Sequence, residues 1–210
     1  MSALRLFAIR HGETAWSHAR RFTGARDVPL TEWGRRQSEA LATALAKAPV
    51  AAVYTSPLER ARACAEAIAK PHRLGVHVEP AFREMAFGAW EGLTREDVAA
   101  LAPDAMTAWR QAPDRVVPPG GEGLGAVAAR VAEATARLLA AHPGDTVVLV
   151  SHAIVTRLIV LGALGLGPER LWSVDASPAG LYEIEFQDGW VTVHRMNTLA
   201  HLDALETAAP

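Results

Sequence analysis

The chain has 210 residues, half of them apolar, with a formal net charge of −2 and a pI of about 6.4. A domain runs to roughly 150 residues on average, so one domain over residues 1–210 is expected, with enough apolar material for a core that needs no disulfide or metal. The charge balance gives no polybasic surface for nucleic acid or an anionic membrane, so any attraction for an anion must be local. Cys64 is the only cysteine, which rules out an internal disulfide and makes a reducing cytoplasm the expected setting. Arg5 and Arg10 interrupt the one early apolar run, so no secretory leader is read there. The later run Leu158–Leu166 is too short to span a bilayer.

Leu4–Ile9 is almost wholly apolar and is closed by Gly12 after Arg10 and His11. Such a run predicts a strand buried on both faces of a parallel sheet. Thr31 caps a predicted helix through Gln37, Leu41 and Leu45, with Pro49 beyond its end. Ala51–Tyr54 reads as a second strand. Pro57 suits the first turn of a helix carrying Leu58, Ala61, Ala65 and Ile68 and stopping before Pro71. Val76–Val78 is a short third strand. A helix from Leu124 places Val127, Val131 and Leu138 on one face and ends near Pro143-Gly144. Thr146–Val150 is the fourth strand. Leu181–Phe186 and Trp190–His194 flank Gln187-Asp188-Gly189 as a hairpin, and residues 203–210 are expected to fray. Alternating strands and helices predict an α/β fold, a three-layer α/β/α sandwich with a mainly parallel central sheet.

Each predicted parallel strand leads into residues suited to phosphate chemistry. The first leads to Arg10 and His11, the second to Ser56 and Arg60, the third to Glu84, and the fourth to Ser151-His152-Ala153. A parallel sheet puts all four carboxyl ends on one edge, where open α/β sheets bind ligands. A neutral imidazole nitrogen can attack phosphorus, and arginine grips phosphate oxygens bidentately.

Arg10-His11-Gly12-Glu13-Thr14, Ser56-x-x-x-Arg60, Glu84 ahead of Phe87-Gly88-x-Trp90-Glu91-Gly92, Pro119-Gly120-Gly121-Glu122 and Val150-Ser151-His152 together resemble the histidine phosphatase superfamily. Five motifs in order cover nearly the whole chain. The resemblance implies the phosphoglycerate mutase-like fold and a phosphohistidine intermediate. His11 would be the nucleophile, Arg10 and Arg60 the phosphate clamp, and His152 a second histidine on the transferred group. Glu84 would protonate the leaving oxygen and then activate water. Ser17, Thr23, Gly24 and Ala153 match positions that touch phosphate or substrate. Ser17 stands where many relatives have asparagine, and Ala153 where glycine is usual. Glu13 and Thr14 either orient His11 or begin the next loop. Arg62 competes with Arg60, but Arg60 holds the matching place, and Arg62 reads as a solvated helix residue.

The remaining histidines lack a motif; His18 is merely close to His11 in sequence. Trp90 and Trp109 flank a covering segment, Thr94–Pro118, which offers Arg95, Arg110 and Arg115 as further anchors. Cysteine-nucleophile, aspartyl-phosphate and phosphate-loop chemistries are excluded, because position 70 after Cys64 is lysine and neither Asp-x-Asp nor Gly-x4-Gly-Lys occurs. No carboxylate–histidine cluster has metal-ligand spacing, so no metal and no cofactor are expected. The covering segment is short, which resembles the α-ribazole and broad-specificity phosphatase branch more than the phosphoglycerate mutases. The expected function is hydrolysis of a small phosphorylated metabolite, with mutase transfer as runner-up and a dead phospho-ligand binder as a third reading. Nucleic acid and membrane are not expected partners; a homodimer is compatible with the sequence.

Overall fold

In the computed structural model, which describes residues 3–206, side chains of β1 (Leu4–Arg10) alternate between two cores. Leu4, Leu6 and Ala8 enter one, Phe7 and Ile9 the other. β2 (Val50–Thr55), β3 (Val76–Val78) and β4 (Thr146–Ser151) follow, and β5 (Leu181–Gln187) with β6 (Trp190–Thr198) forms the predicted hairpin around Gly189, whose φ is +69°. The six strands lie in the order β3-β2-β4-β1-β5-β6. β3, β2, β4 and β1 pair in parallel, while β5 and β6 join antiparallel. The mainly parallel sheet and the three layers are as expected.

α1 (Ala15–His18) is one capped turn, and α2 (Glu32–Leu45) begins at its cap Thr31. With α3 (Glu59–His72), α2 covers the Phe7/Ile9 face through Leu41, Leu45, Ala61, Cys64, Ala65 and Ile68. α4 (Arg95–Leu101) and α5 (Pro103–Gln111) make up much of the covering segment. α6 (Leu124–Ala141) and α7 (Ala153–Ala163) cover the other face. α8 (Asp203–Glu206) is a helical turn, so the first four residues of the tail expected to fray are ordered as helix; residues 207–210 lie outside those described.

α3 departs from expectation at both ends. It starts at Glu59 rather than in the first turn after Pro57, because its first donors are met from outside: Leu58 N–H by Ser56 Oγ at 3.2 Å and Glu59 N–H by Asp27 Oδ1 at 2.8 Å. It runs through Pro71, since a proline in the last turn forfeits only one helical hydrogen bond. Arg73 in the left-handed conformation ends it, its N–H reaching back to Ala69 and Lys70.

Two glycines bring α2 against the loop after β1. A Cβ on Gly12 would collide with the carbonyl oxygen of Gly34, and a Cβ on Gly34 with the carbonyl oxygen of Glu13. The contact is backbone on backbone and leaves nothing flexible to yield. Gly34→Ala should therefore cost about 1–3 kcal/mol of stability, in the range of overpacked interiors. Urea unfolding checks this, and a variant as stable as the parent would show that the contact relaxes freely.

Candidate active site

The register of the central strands assembles the site. Arg10 pairs with Ser151 across β1 and β4, and Thr55 with Val150 across β2 and β4. His11, Ser56 and His152 therefore leave the sheet side by side, with the His11 and His152 ring centroids 5.1 Å apart.

His11 is buried, and its two ring nitrogens have different neighbours. Nδ1 lies 2.7 Å from the Gly12 carbonyl, and Nε2 lies 3.1 Å from the Arg60 Nε, which can only donate. This pattern assigns the proton to Nδ1 and leaves the Nε2 lone pair directed at Arg60. Burial, followed by the charges of Arg60 and Arg10, holds the imidazole pKa well below its ordinary 6.5. His11 is therefore neutral.

Arg60, in the first turn of α3, also donates Nη1 to the Arg26 carbonyl at 2.6 Å and Nη2 to the Gly24 carbonyl at 2.9 Å. Gly24 has a φ of +54° and its loop is held by Glu91, which accepts from the Ala25 and Phe87 N–H groups. Arg10 donates Nη1 to the Ala176 carbonyl at 2.6 Å, and its Nε is buried without a partner. Burial, with Arg157 adding to it, brings its pKa down to about 10, which leaves it a cation at neutral pH.

His152, the residue preceding α7, has Nε2 2.6 Å from Ser56 Oγ and a buried Nδ1 without a partner. Ser56 Oγ already accepts from Leu58 N–H, so its own proton is available for His152 Nε2. In that arrangement Nδ1 of His152 carries a hydrogen with no acceptor. Burial, then Arg60, His11 and Arg10, keeps this ring neutral as well.

Glu84 reaches the site by a crossing segment. β3 lies at the sheet edge, but the Pro80–Phe82 turn carries the chain back over β4, where Ser151 Oγ donates to the Phe82 carbonyl at 2.8 Å. The Glu84 carboxylate accepts from its neighbour Met85 N–H at 2.9 Å and from Ile154 N–H, in the first turn of α7, at 3.3 Å. Arg130 of α6 fixes the segment from behind, donating to the carbonyls of Ala81, Arg83 and Glu84 and to both oxygens of Glu122. The Gly120-Gly121-Glu122 motif closes on the same segment: a Cβ on Gly121 would strike the Ala86 carbonyl, and Glu122 accepts from Ala86 N–H.

These groups open onto a cavity of about 410 Å³. Arg10, His11, Ser17, Thr23, Gly24, Arg60, Glu84 and Ala153 line it, and His152 lies buried beside them. Ser17 lines it with its hydroxyl engaged in capping α1, donating to the Thr14 carbonyl and accepting from Thr14 N–H. Glu13 and Thr14 are structural: Glu13 accepts from Thr31 Oγ1 and approaches the exposed His18, and Thr14 caps α1. Arg62 is exposed and pairs loosely with Glu66. Of the covering segment, Arg95, Arg110 and Trp109 line the cavity, whereas Arg115 does not and Trp90 is core. The sequence reading missed Arg20, Arg21, Phe22, Arg157 and Trp172, which lack any motif. With them, seven arginines face two glutamates, Glu84 and Glu96, among the described lining residues. The expected local attraction for anions is there, in a chain whose net charge is −2.

Two neutral buried histidines tie stability to pH. Unfolded, each takes a proton near pH 6.5; folded, neither does until far lower. Below 6.5 the unfolded chain binds more protons, so stability falls as pH falls, by up to about 1.4 kcal/mol per unit for each histidine. Urea unfolding between about pH 7 and pH 5 should show this loss, with His152→Gln shallower by about one proton. An unchanged slope in that variant would show that His152 titrates alike in both states.

Comparison with known proteins follows the same lines. The sequence model of the histidine phosphatase superfamily (branch 1) matches residues 6–199. The chain is 36% identical over 200 residues to the bifunctional protein Rv2228c of Mycobacterium tuberculosis; the match takes in 94% of this chain and 55% of that protein, so the chain spans about half the length of these mycobacterial relatives. It is 32% identical over 197 residues to the adenosylcobalamin/alpha-ribazole phosphatase of Salmonella typhimurium, covering 94% of this chain and 98% of that one. Among solved structures, YhfR of Bacillus stearothermophilus superposes with a TM-score of 0.89 at 31% identity, covering 95% of this chain and 100% of the other. The chain belongs to branch 1 of the histidine phosphatase superfamily.

Proposed function

We propose that the chain hydrolyses the phosphomonoester of a small phosphorylated metabolite through a phosphohistidine on His11. The observation that carries this reading is a neutral histidine with an unprotonated Nε2, set beside two buried donors that have no partner, Arg10 Nε and His152 Nδ1. Orphaned buried donors are costly unless something fills the site, and a phosphoryl group supplies the acceptor oxygens.

Binding begins when a substrate phosphate takes the Arg60 Nε–H away from His11 and exposes the lone pair. Arg10, Arg60 and His152 then hold the equatorial oxygens, and the first turn of α7 at Ala153 adds backbone N–H groups to the same anion. Nε2 attacks phosphorus in line; the N–P bond forms as the P–O bond to the leaving group breaks. Glu84 in its carboxyl form gives its proton to the departing oxygen. In the second half a water oxygen attacks phosphorus, its proton passes to the Glu84 carboxylate, the P–N bond breaks, and phosphate leaves with His11 neutral again. The field of arginines stabilises the charge spread over the transferring group. The covering segment, two short helices, leaves the cavity open for that water, which favours hydrolysis over transfer to a second substrate.

His11→Ala removes the nitrogen proposed to take the phosphoryl group. Rapid quench with labelled substrate should trap an alkali-stable, acid-labile phosphoprotein in the parent and none in this variant, with turnover falling to background. Substantial turnover in His11→Ala would remove the assignment.

Glu84→Gln keeps the size of the side chain and removes its proton transfer. Alkyl phosphates, which leave as poor alkoxides, should lose about 10²–10³-fold in kcat. An aryl phosphate with an acidic phenol should lose less than about tenfold, since its oxygen scarcely needs a proton. Equal losses on both would make Glu84 a positioning residue only.

A further inference from the structure

The cavity continues past the phosphoryl pocket along α7. Arg157 stands one turn after Ala153, about 6 Å further along the helix axis. Its side chain is mostly buried and donates Nε to the Val174 carbonyl at 2.8 Å, while its nearest carboxylate, the exposed Asp175, is 3.7 Å away. Trp172 lies between Arg157 and the covering segment. Its indole N–H is fixed on the Trp109 carbonyl at 3.0 Å, and the guanidinium carbons of Arg157 and Arg95 lie 5.4 and 5.6 Å from its ring centre. Two cations gathered on one indole ring repel each other as well as being attracted to it. Arg110 lines the same cavity, and neither Arg95 nor Arg110 forms an ion pair among the described residues. Glu96 is the one carboxylate besides Glu84 among the described residues that line the cavity, and it forms no ion pair among them. Burial, above all, pulls the Arg157 pKa down, so this charge is held at a cost that its protein contacts offset only in part.

Resting on the phosphomonoesterase reading, we propose that the substrate's leaving group carries a second anionic group, a carboxylate or a second phosphate, seated on Arg157, Arg95 and Arg110 beside Trp172. The phosphoryl group to be removed occupies the pocket of His11, Arg10 and Arg60. The carbon body of the leaving group bridges the two sites against Phe22 and Trp109, which line the same cavity. Glu84 faces the bridging oxygen, and the second anion meets three arginines, with Glu96 and the exposed Asp175 the carboxylates nearby. Such a site favours charged small metabolites over neutral alcohols and over α-ribazole phosphate, whose leaving group bears no anion.

Binding of stable phosphonates to the full chain tests this without requiring turnover. Calorimetry compares butylphosphonate with 4-phosphonobutanoate and with butane-1,4-diphosphonate. The anionic pair should bind at least about tenfold more tightly than butylphosphonate, the gain of a charge-assisted contact. That ratio should shrink toward one in Arg157→Gln, and also in the double variant Arg95→Gln/Arg110→Gln, whose side chains are exposed and carry little risk to folding. Reading the ratio within each variant cancels any general weakening. Which of the two anionic ligands binds more tightly assigns carboxylate or phosphate. A ratio near one in the parent, or one that survives both variants, overturns the proposal. Hydrolysis of an aryl phosphate without any such preference would leave the hydrolase reading standing and remove this one; the preference without hydrolysis would do the reverse.

Discussion

Arg60 Nε resting against His11 Nε2 is the contact on which the rest of the site depends. A guanidinium can only donate, so its presence there requires a lone pair on Nε2 and sends the imidazole proton to Nδ1 and the Gly12 carbonyl. His11 thus carries a free lone pair on Nε2. The same cation, with Arg10, makes protonation of His11 expensive, which protects the lone pair from acid. One pair of residues fixes tautomer, charge and direction together.

Holding cations in such a place is costly. Among the described residues the one ion pair of Arg10, Arg60 and Arg157 is the long 3.7 Å contact of Arg157 with the exposed Asp175, and the fold meets the cost mainly with carbonyls. Gly24 and Arg26 offer theirs to Arg60, Ala176 to Arg10, and Val174 to Arg157. A carbonyl dipole satisfies a donor but leaves the net charge unneutralised. Ion pairs would have stabilised the empty protein and competed with every phosphate that entered. The open charge therefore serves binding at the expense of stability, a trade typical of sites built on strained or frustrated groups. Stability comes from the two apolar layers on either side of the sheet, whose central strands β1 and β4 are buried on both faces.

Sequence reading found what the sheet dictates. Short apolar runs gave the four parallel strands, and the strand ends gave His11, Arg10, Arg60 and His152, because parallel strands must share a carboxyl edge. α7 was not singled out: its side chains are apolar on nearly every side, so it lacks the one-sided stripe that marks a surface helix. Missing α7 also hid Arg157, which matters only because a helical turn places it above Ala153. The covering segment Thr94–Pro118 is given no elements by the sequence; in the structure Thr94 caps α4, Pro103 opens α5, and Val98, Met106 and Trp109 bury them against the core. Pro71 misled for the opposite reason, being a strong local signal that a single lost hydrogen bond near a helix end could absorb.

Glu84 shows where pattern and structure part. A motif singles it out, yet its place does not follow from its strand, since β3 is at the edge of the sheet and the Glu84 carboxylate lies on the Ile154 N–H at the start of α7, which follows the central strand β4. The chain must travel back across β4, and an irregular path of that kind needs its backbone groups satisfied one by one. Arg130 does this for three carbonyls at once and is itself held by Glu122, which also accepts from the Arg83 guanidinium at 2.7 Å and from the Ala86 N–H. Gly121, just before Glu122, lets its loop lie directly on the Ala86–Phe87 backbone, where a side chain would strike the Ala86 carbonyl. A motif that carries no reacting group is thus explained by the residue it steadies. Arg130 and Glu122 position the segment: their part-buried ion pair lies behind it, Arg130 satisfies its carbonyls, and the Glu84 carboxylate is thereby kept on the Ile154 N–H of α7.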